Sequence, residues 1–414
     1  MQLKTTLTGV AVVLSPALAS AITIDGSLDA AYGPAVAVQT VNTSFGNATS
    51  PSGLGGGGEV DAAYATIEDG RLNVLITGNI ENNFNKLNVF FDSRPGGENT
   101  LSSTPVYDFE SLSQNFGGLT FDPGFNADFH LYARWGSFTG SVFTVDLVDR
   151  AGGTSAAVNG NGAQSSSGAG TGVQSGTITP GDLGLGPGPG NVGEVRNLDG
   201  FLTQPVEFGF NNTNTAGVTA GTGAANPAAA LAVTTGFEFS IDLADLGSPA
   251  PGEEIKLHVA YGNGDQNFHS NQVLAGLPAG SGSLGGDGSG NFTGTLSGVD
   301  FNDFAGDQFF TLIVPGEPAL IGDFSGDGFV GQDDLNLVLL NFGDAVLPVG
   351  FDPAGLDPQT SPDGFDGLIG QNELNDVLLN FGNGSLPADV AAVPEPATAA
   401  LLAAGLLALR RRSA

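Results

Sequence analysis

The chain has 414 residues, 43 of them acidic and only 11 basic, for a formal charge of −32, and no cysteine. A phosphate backbone calls for clustered Lys and Arg, so the composition argues against nucleic acid as a partner and in favour of cations. With Gly at 66 residues and many short apolar runs, strands and turns are expected rather than helices.

Met1 to Ala21 reads as a secretory signal peptide. Lys4 supplies the positive start, Leu7 to Leu14 the apolar stretch, and Ala19-Ser20-Ala21 the small-residue cleavage site. The mature chain is expected to start near Ile22. Of the 11 basic residues, Lys4 and Arg410, Arg411 and Arg412 lie in segments expected to be removed, which leaves seven. Without cysteine, an exported chain has no disulfide staple, so core packing and bound metal must hold it together.

Strand-like runs follow at Val36–Val41, Val60–Ile67, Arg71–Thr77, Lys86–Asp92, Asp128–Trp135, Ser141–Val148, Val206–Phe210, Gly236–Leu243, Ile255–Tyr261 and Gln308–Val314. In Phe237 to Leu243 the apolar side chains alternate with Glu238, Ser240 and Asp242, the pattern of a half-buried antiparallel strand. Glu68-Asp69-Gly70-Arg71 is a hairpin turn signal between two runs. So many strands without intervening helices predict one large antiparallel β-sandwich of jelly-roll type over 22–316. Gly152 to Asn191 holds scarcely any bulky residue and is expected to be a long loop or flexible insertion. Asn211 to Ala230 and Ala279 to Gly290 are expected to behave alike.

The opening Ile22-Thr23-Ile24-Asp25-Gly26-Ser27-Leu28-Asp29-Ala30-Ala31-Tyr32 resembles the first strand of family-nine-type carbohydrate-binding modules and of the related DOMON sandwiches. That resemblance implies a jelly roll and an extracellular polysaccharide as ligand. Sugar platforms use exposed aromatics, and this chain has only Trp135 and five Tyr to offer beyond Phe. Haem held by a Met/His pair is excluded, since the sole Met is Met1. Within Asp128 to Trp135, His130, Tyr132 and Arg134 share one strand face. One reading makes Trp135, Tyr132 and Arg134 glycan contacts. The preferred one makes that face the solvated side of a strand, with Trp135 in the core. No cysteine nucleophile exists, and His130, His258 and His269 lie in no H-x-x-H or G-x-S-x-G setting. Glu238 and Asp242 are four apart and do not match the paired carboxylates of sandwich glycanases. A non-catalytic protein is expected.

Near the C-terminus one stretch occurs twice. Asp327 to Gly343 reads DGFVGQDDLNLVLLNFG and Asp366 to Gly382 reads DGLIGQNELNDVLLNFG, at an offset of 39. Counted from Asp323, oxygen side chains fall at positions 1 (Asp323), 3 (Ser325), 5 (Asp327) and 12 (Asp334), with Gly328 at position 6 and the Phe329 carbonyl at position 7. This is the ligand schedule of an EF-hand loop, in which a hard cation collects several oxygens and Gly permits the sharp turn. Leu335, Val338, Leu339 and Phe342 then fall on one helical stripe, and Leu374, Val377, Leu378 and Phe381 repeat it. In the second copy Asp366, the Leu368 carbonyl and Glu373 keep positions 5, 7 and 12, but Pro362 and Gly364 occupy positions 1 and 3. One good calcium site and one weak or lost site are expected. The pair resembles the dockerin domain over Gly322 to Gly384. The resemblance implies calcium-dependent folding and a cohesin-like protein as partner.

After a linker at 385–392 come Val393-Pro394-Glu395-Pro396, a mostly apolar run from Ala397 to Leu409, and Arg410-Arg411-Arg412. As a helix the run spans about 20 Å, short of a ~30 Å bilayer core, and the triple Arg suits a positive-inside anchor with transient membrane contact. This order resembles the PEP-CTERM sorting signal over 393–414, which implies removal by an exosortase. The whole then reads as a secreted, exosortase-sorted, non-catalytic envelope or matrix protein. The alternative is a dockerin-tagged polysaccharide-degrading enzyme.

Overall fold

The computed structural model describes residues 21–45, 58–103, 114–137, 141–150, 160–165, 172–182, 200–316, 320–356 and 367–384. The signal peptide up to Ser20, Asp366 and the whole sorting tail from Val393 to Arg412 lie outside the described residues. The chain divides into two compact units, Met1–Val314 and Pro315–Ala414.

The first unit is an antiparallel β-sandwich. Its strands are β1 (Ala37–Val38), β2 (Glu59–Glu68), β3 (Arg71–Asn79), β4 (Lys86–Asp92), β5 (Phe129–Ser137), β6 (Ser141–Asp149), β7 (Gly160–Ser165), β8 (Val173–Ile178), β9 (Val206–Asn211), β10 (Gly236–Asp242), β11 (Glu254–Gly262), β12 (His269–Leu274) and β13 (Phe310–Ile313). One sheet runs β1-β2-β3-β10-β9-β8 and the other β12-β11-β4-β5-β6-β7, with β13 sharing an edge of β11. The chain crosses between sheets from β3 to β4 and again from β10 to β11. Because β3 neighbours β10 and β4 neighbours β11, the two crossings interlock.

Between the sheets lies a core of Val74, Ile76, Val89, Phe91, Leu131, Trp135, Phe143, Val145, Phe208, Phe210, Phe237, Phe239 and Val259. Phe143 stacks on Phe210 with ring centroids 4.4 Å apart, and Trp135 meets the same Phe210 edge-on. Aromatic pairs of this kind add to the area they bury.

Two sequence expectations are corrected here. Every strand-like run is a strand, but the Gly-rich insertion is not only loop. β7 pairs with β6 and β8 pairs with β9 across full registers, because ladder hydrogen bonds come from the backbone and an edge strand needs few side chains to join. The second correction concerns the outer faces, which are covered in part. Glu238 is buried under residues 25–32, where its carboxylate accepts from the N–H groups of Asp25 and Gly26 (both 2.8 Å) and from the Tyr32 hydroxyl (2.7 Å), and Ser240 is buried beside Arg71, whose Nε donates to its Oγ (2.8 Å). On the other sheet, Phe90 packs outward into a second apolar cluster with Phe116, Phe121, Phe125, Leu284 and Phe301.

The second unit holds α2 (Gln332–Leu340) and α3 (Gln371–Asn380); another helix, α1 (Pro227–Leu231), belongs to the sandwich and starts on an Asn226 cap. Phe324, Val330, Val338, Phe351, Ile369 and Val377 form a small core of their own. The two helices pack on one another.

Candidate metal centre

Asp323 opens the first loop, and the chain wraps around its carboxylate. Oδ1 accepts from Gly326 N (2.8 Å), Asp327 N (3.2 Å) and Ser325 Oγ (3.3 Å), and Oδ2 accepts from Gly328 N (2.9 Å). Gly328 sits at φ +82°, in the left-handed region that a side chain resists. Asp334 closes the loop from the first turn of α2. Its two oxygens accept from Ser325 N (2.7 Å) and Gly331 N (2.6 Å), which ties the loop to the helix start and places negative charge at the positive helix end. Asp327 accepts from Phe329 N (2.9 Å).

Carboxylate oxygens of Asp323, Asp327 and Asp334 lie within 4.8 Å of one another. Three like charges this close repel unless a cation or proton intervenes. Asp327 records the strain. Desolvation raises its pKa first, its bond from Phe329 N–H opposes, and the charges of Asp333, Asp323 and Asp334 raise it further. The donors are all oxygens, which suits a hard divalent ion such as calcium. Asp323 and Asp334 are buried and Asp327 is partly exposed.

In the second loop, Glu373 repeats the role of Asp334. Its Oε2 accepts from Gly370 N (2.7 Å) while the residue is fully buried. Its Oε1 is buried with no hydrogen-bond partner among the described residues. A bare carboxylate oxygen away from water is costly, so this oxygen also suits a cation. Leu368 is described but Asp366 is not, so the second ligand set is seen in part only.

The two copies are locked to each other reciprocally. Val330 N donates to Asn383 O (2.9 Å) and Gly382 N to Val330 O (2.8 Å); 39 residues on, Ile369 N donates to Asp344 O (2.9 Å) and Gly343 N to Ile369 O (2.8 Å). Each loop therefore pairs with the turn after the other copy's helix, as a two-fold repeat requires. Gly384 lies against the first loop so closely that a Cβ there would stand 2.2 Å from Gly328 O. Sequence reasoning missed these pairs, although the constant offset of 39 was their signal.

The predicted helical stripe is corrected in part. Val338 and Val377 are fully buried, but Leu339, Phe342, Leu378 and Phe381 are about half exposed. The helices stop at Leu340 and Asn380, so both Phe residues lie beyond the helices whose stripe they were expected to share. Leu340 and Leu379, each 83% exposed, complete an apolar ridge on each copy.

The sandwich face proposed for glycan is corrected as well. Tyr132 and Trp135 are 0% exposed and Arg134 is 4% exposed. Trp135 lies in the core as preferred, but His130, Tyr132 and Arg134 are not on a solvated side: all three are buried, and the Phe116 ring lies edge-on to His130 with centroids 5.2 Å apart. His130 bonds Asn88 Oδ1 through Nε2 (2.9 Å) and stacks on Phe90 at 4.1 Å. Arg134 Nε donates to Thr144 Oγ1 (2.6 Å) on the neighbouring strand.

Fold and loop together define a β-sandwich protein with a duplicated loop–helix module. A family model for the PEP-CTERM protein-sorting motif matches residues 392–413. That match marks the chain as a secreted, cell-surface-sorted protein of the bacterial exosortase type. No curated protein and no solved structure matches the chain.

Proposed function

We propose that this is a non-catalytic assembly protein of the cell envelope or extracellular matrix, whose module at 320–384 is a calcium-binding, dockerin-like pair. The observation that carries the reading is the convergence of Asp323, Asp327 and Asp334 within 4.8 Å. Ser325 Oγ and the Phe329 carbonyl would complete the first ligand set, and Glu373, the Leu368 carbonyl and Asp366 would serve the second. Bound calcium would supply positive charge to a cluster that otherwise repels itself. The chain's own part is to hold those oxygens together by backbone N–H groups and by the start of α2. Glu373 Oε1 makes the second loop a stronger candidate than its broken register suggested.

The apolar ridges at Leu339, Leu340 and Phe342 and at Leu378, Leu379 and Phe381 are the surface a cohesin-like partner would take. The sandwich packs within extracellular polysaccharide on this reading, with any sugar contact away from Trp135, Tyr132 and Arg134. For the non-catalytic role, the three histidines speak in its favour. Burial holds His258 down to about 3 and His269 to about 4, and drives His130 well below the ordinary value, so none is poised for proton transfer near neutral pH.

Calorimetry on the mature chain tests the metal. Asp323→Ala with Asp327→Ala should abolish the first binding step, and unchanged calcium uptake would reject these ligands. A reducing-sugar assay on envelope polysaccharide should give no release above a heat-killed control; release would favour the enzyme alternative.

A further inference from the structure

The module combines two features that call for a cover. It presents two ridges of large apolar side chains, led by Leu340 and Leu379 and related by the internal repeat. Single exposed apolar residues are ordinary, but three large ones exposed by half or more at equivalent places in both copies point to an interaction surface. The module is also purely anionic. Between 320 and 384 the sequence has eleven Asp and Glu and no Lys or Arg. A second copy would bring eleven like charges toward eleven, which opposes self-association. An occupant should be apolar along its length and cationic at one end.

The chain itself contains such a segment. Residues 397–409 are mostly apolar, and Arg410, Arg411 and Arg412 follow directly. The tether is short: Phe381 belongs to one ridge, Gly384 is the last described residue, and twelve residues lead from there to Ala397. Extended, those twelve reach about 40 Å, while α3 with its ten residues is about 15 Å long. The tail can therefore lie along either ridge, at an effective concentration in the millimolar range.

We propose that the tail folds back onto the apolar ridges of α2 and α3, with the three arginines against the module's carboxylates, until sorting removes it. In water this hides two apolar surfaces at once. Membrane uptake of the tail, or its cleavage, then bares the ridges for a partner. The inference adds a regulation to the partner surface proposed above and does not depend on calcium occupying the loops.

The test exploits the absence of cysteine. In the full chain, Leu379→Cys with Leu402→Cys is oxidised mildly in detergent-free buffer, beside a control pairing Leu402→Cys with Phe292→Cys, an exposed apolar position in the sandwich. A disulfide within one chain, in severalfold excess over the control, is expected; Arg410→Glu, Arg411→Glu and Arg412→Glu together should reduce it severalfold. Leu340→Cys serves as a second ridge position should Leu379→Cys disturb folding, which the module's melting reveals. Bridges between chains would assign the ridge to a second copy and overturn the proposal, as would a yield no higher than the control. A yield indifferent to charge reversal would overturn the arginine–carboxylate pairing. Calcium calorimetry can fail while the bridge forms, and the reverse, so the two readings are tested apart.

Discussion

Asp327 is the residue at which the metal argument can be inverted. Its carboxyl is raised by desolvation and by neighbouring acids, so in the metal-free protein its ionisation opposes folding. A raised folded-state pKa gives stability that is complete at low pH and lost as pH rises through it. Asp327→Asn keeps the side-chain oxygen that accepts from Phe329 N–H and removes the charge. At pH 7 with a chelator present, the module of this variant should melt higher than wild type. With calcium present it should melt lower, and the affinity should fall roughly tenfold or more, as ligand charge sets affinity in such loops. Thermal melts with and without chelator check both signs. If both melts move in one direction, Asp327 is not a ligand. The convergence of Asp323, Asp327 and Asp334 was legible in the sequence because spacing within one loop is local. The burial of Tyr132 and Arg134 was not, since what covers a strand face comes from elsewhere in the chain, as the Phe116 ring against neighbouring His130 shows; Trp135 was read as core and lies there.

Each helix of the module divides its side chains between a core and a ridge. Val338 and Val377 occupy equivalent core positions, both at 0% exposure. Val338→Ala and Val377→Ala should each cost about 2 kcal/mol, from lost burial plus a residual cavity. Leu340→Ala and Leu379→Ala should stay within about 0.5 kcal/mol, as surface changes do. Denaturant melts of the module would reverse the core assignment if the leucines cost more than the valines. The stripe in the sequence could not make this division, because spacing marks which residues share a face but not where packing ends. Strands were more legible than their pairing. Lys86–Asp92 was read with the bounds of β4, whereas β7, β8 and β12 carry no clean apolar alternation. β12 reads His-Ser-Asn-Gln-Val-Leu, and its buried polar side chains find partners elsewhere in the chain; Asn271 Nδ2, for example, donates to Asn42 O and Ser281 O, both at 2.8 Å.

At the scale of the molecule, buried ionisable groups in the sandwich set opposing pH limbs. Burial raises Asp61 on β2 to about 8 against the pull of its bond from Val218 N–H. Burial also raises Glu238 to about 7 against bonds from Tyr32, Gly26 and Asp25. Their ordinary values are 3.8 and 4.5. The folded sandwich therefore keeps protons that the unfolded chain has already released, and that stability is complete at low pH and lost as pH climbs through 7 and 8. The histidines act the other way. His258 and His269 are held near 3 and 4 against an ordinary 6.5, so their contribution is complete above 6.5 and lost as pH falls toward 4. The two limbs overlap in acid, but above pH 6.5 the carboxyls act without opposition from these histidines. The sandwich transition of the mature chain should consequently move to lower temperature between about pH 6.5 and 8.5. Asp61→Asn retains an acceptor for Val218 N–H, and Glu238→Gln retains acceptor oxygen beside the Asp25 and Gly26 amides; together they should flatten that decline. Calorimetric scans in calcium-saturated buffer read the sandwich separately from the module. A wild-type transition that rises over this interval would mean that the two carboxyls fold in their ionised form, with the N–H and O–H donors outweighing their burial.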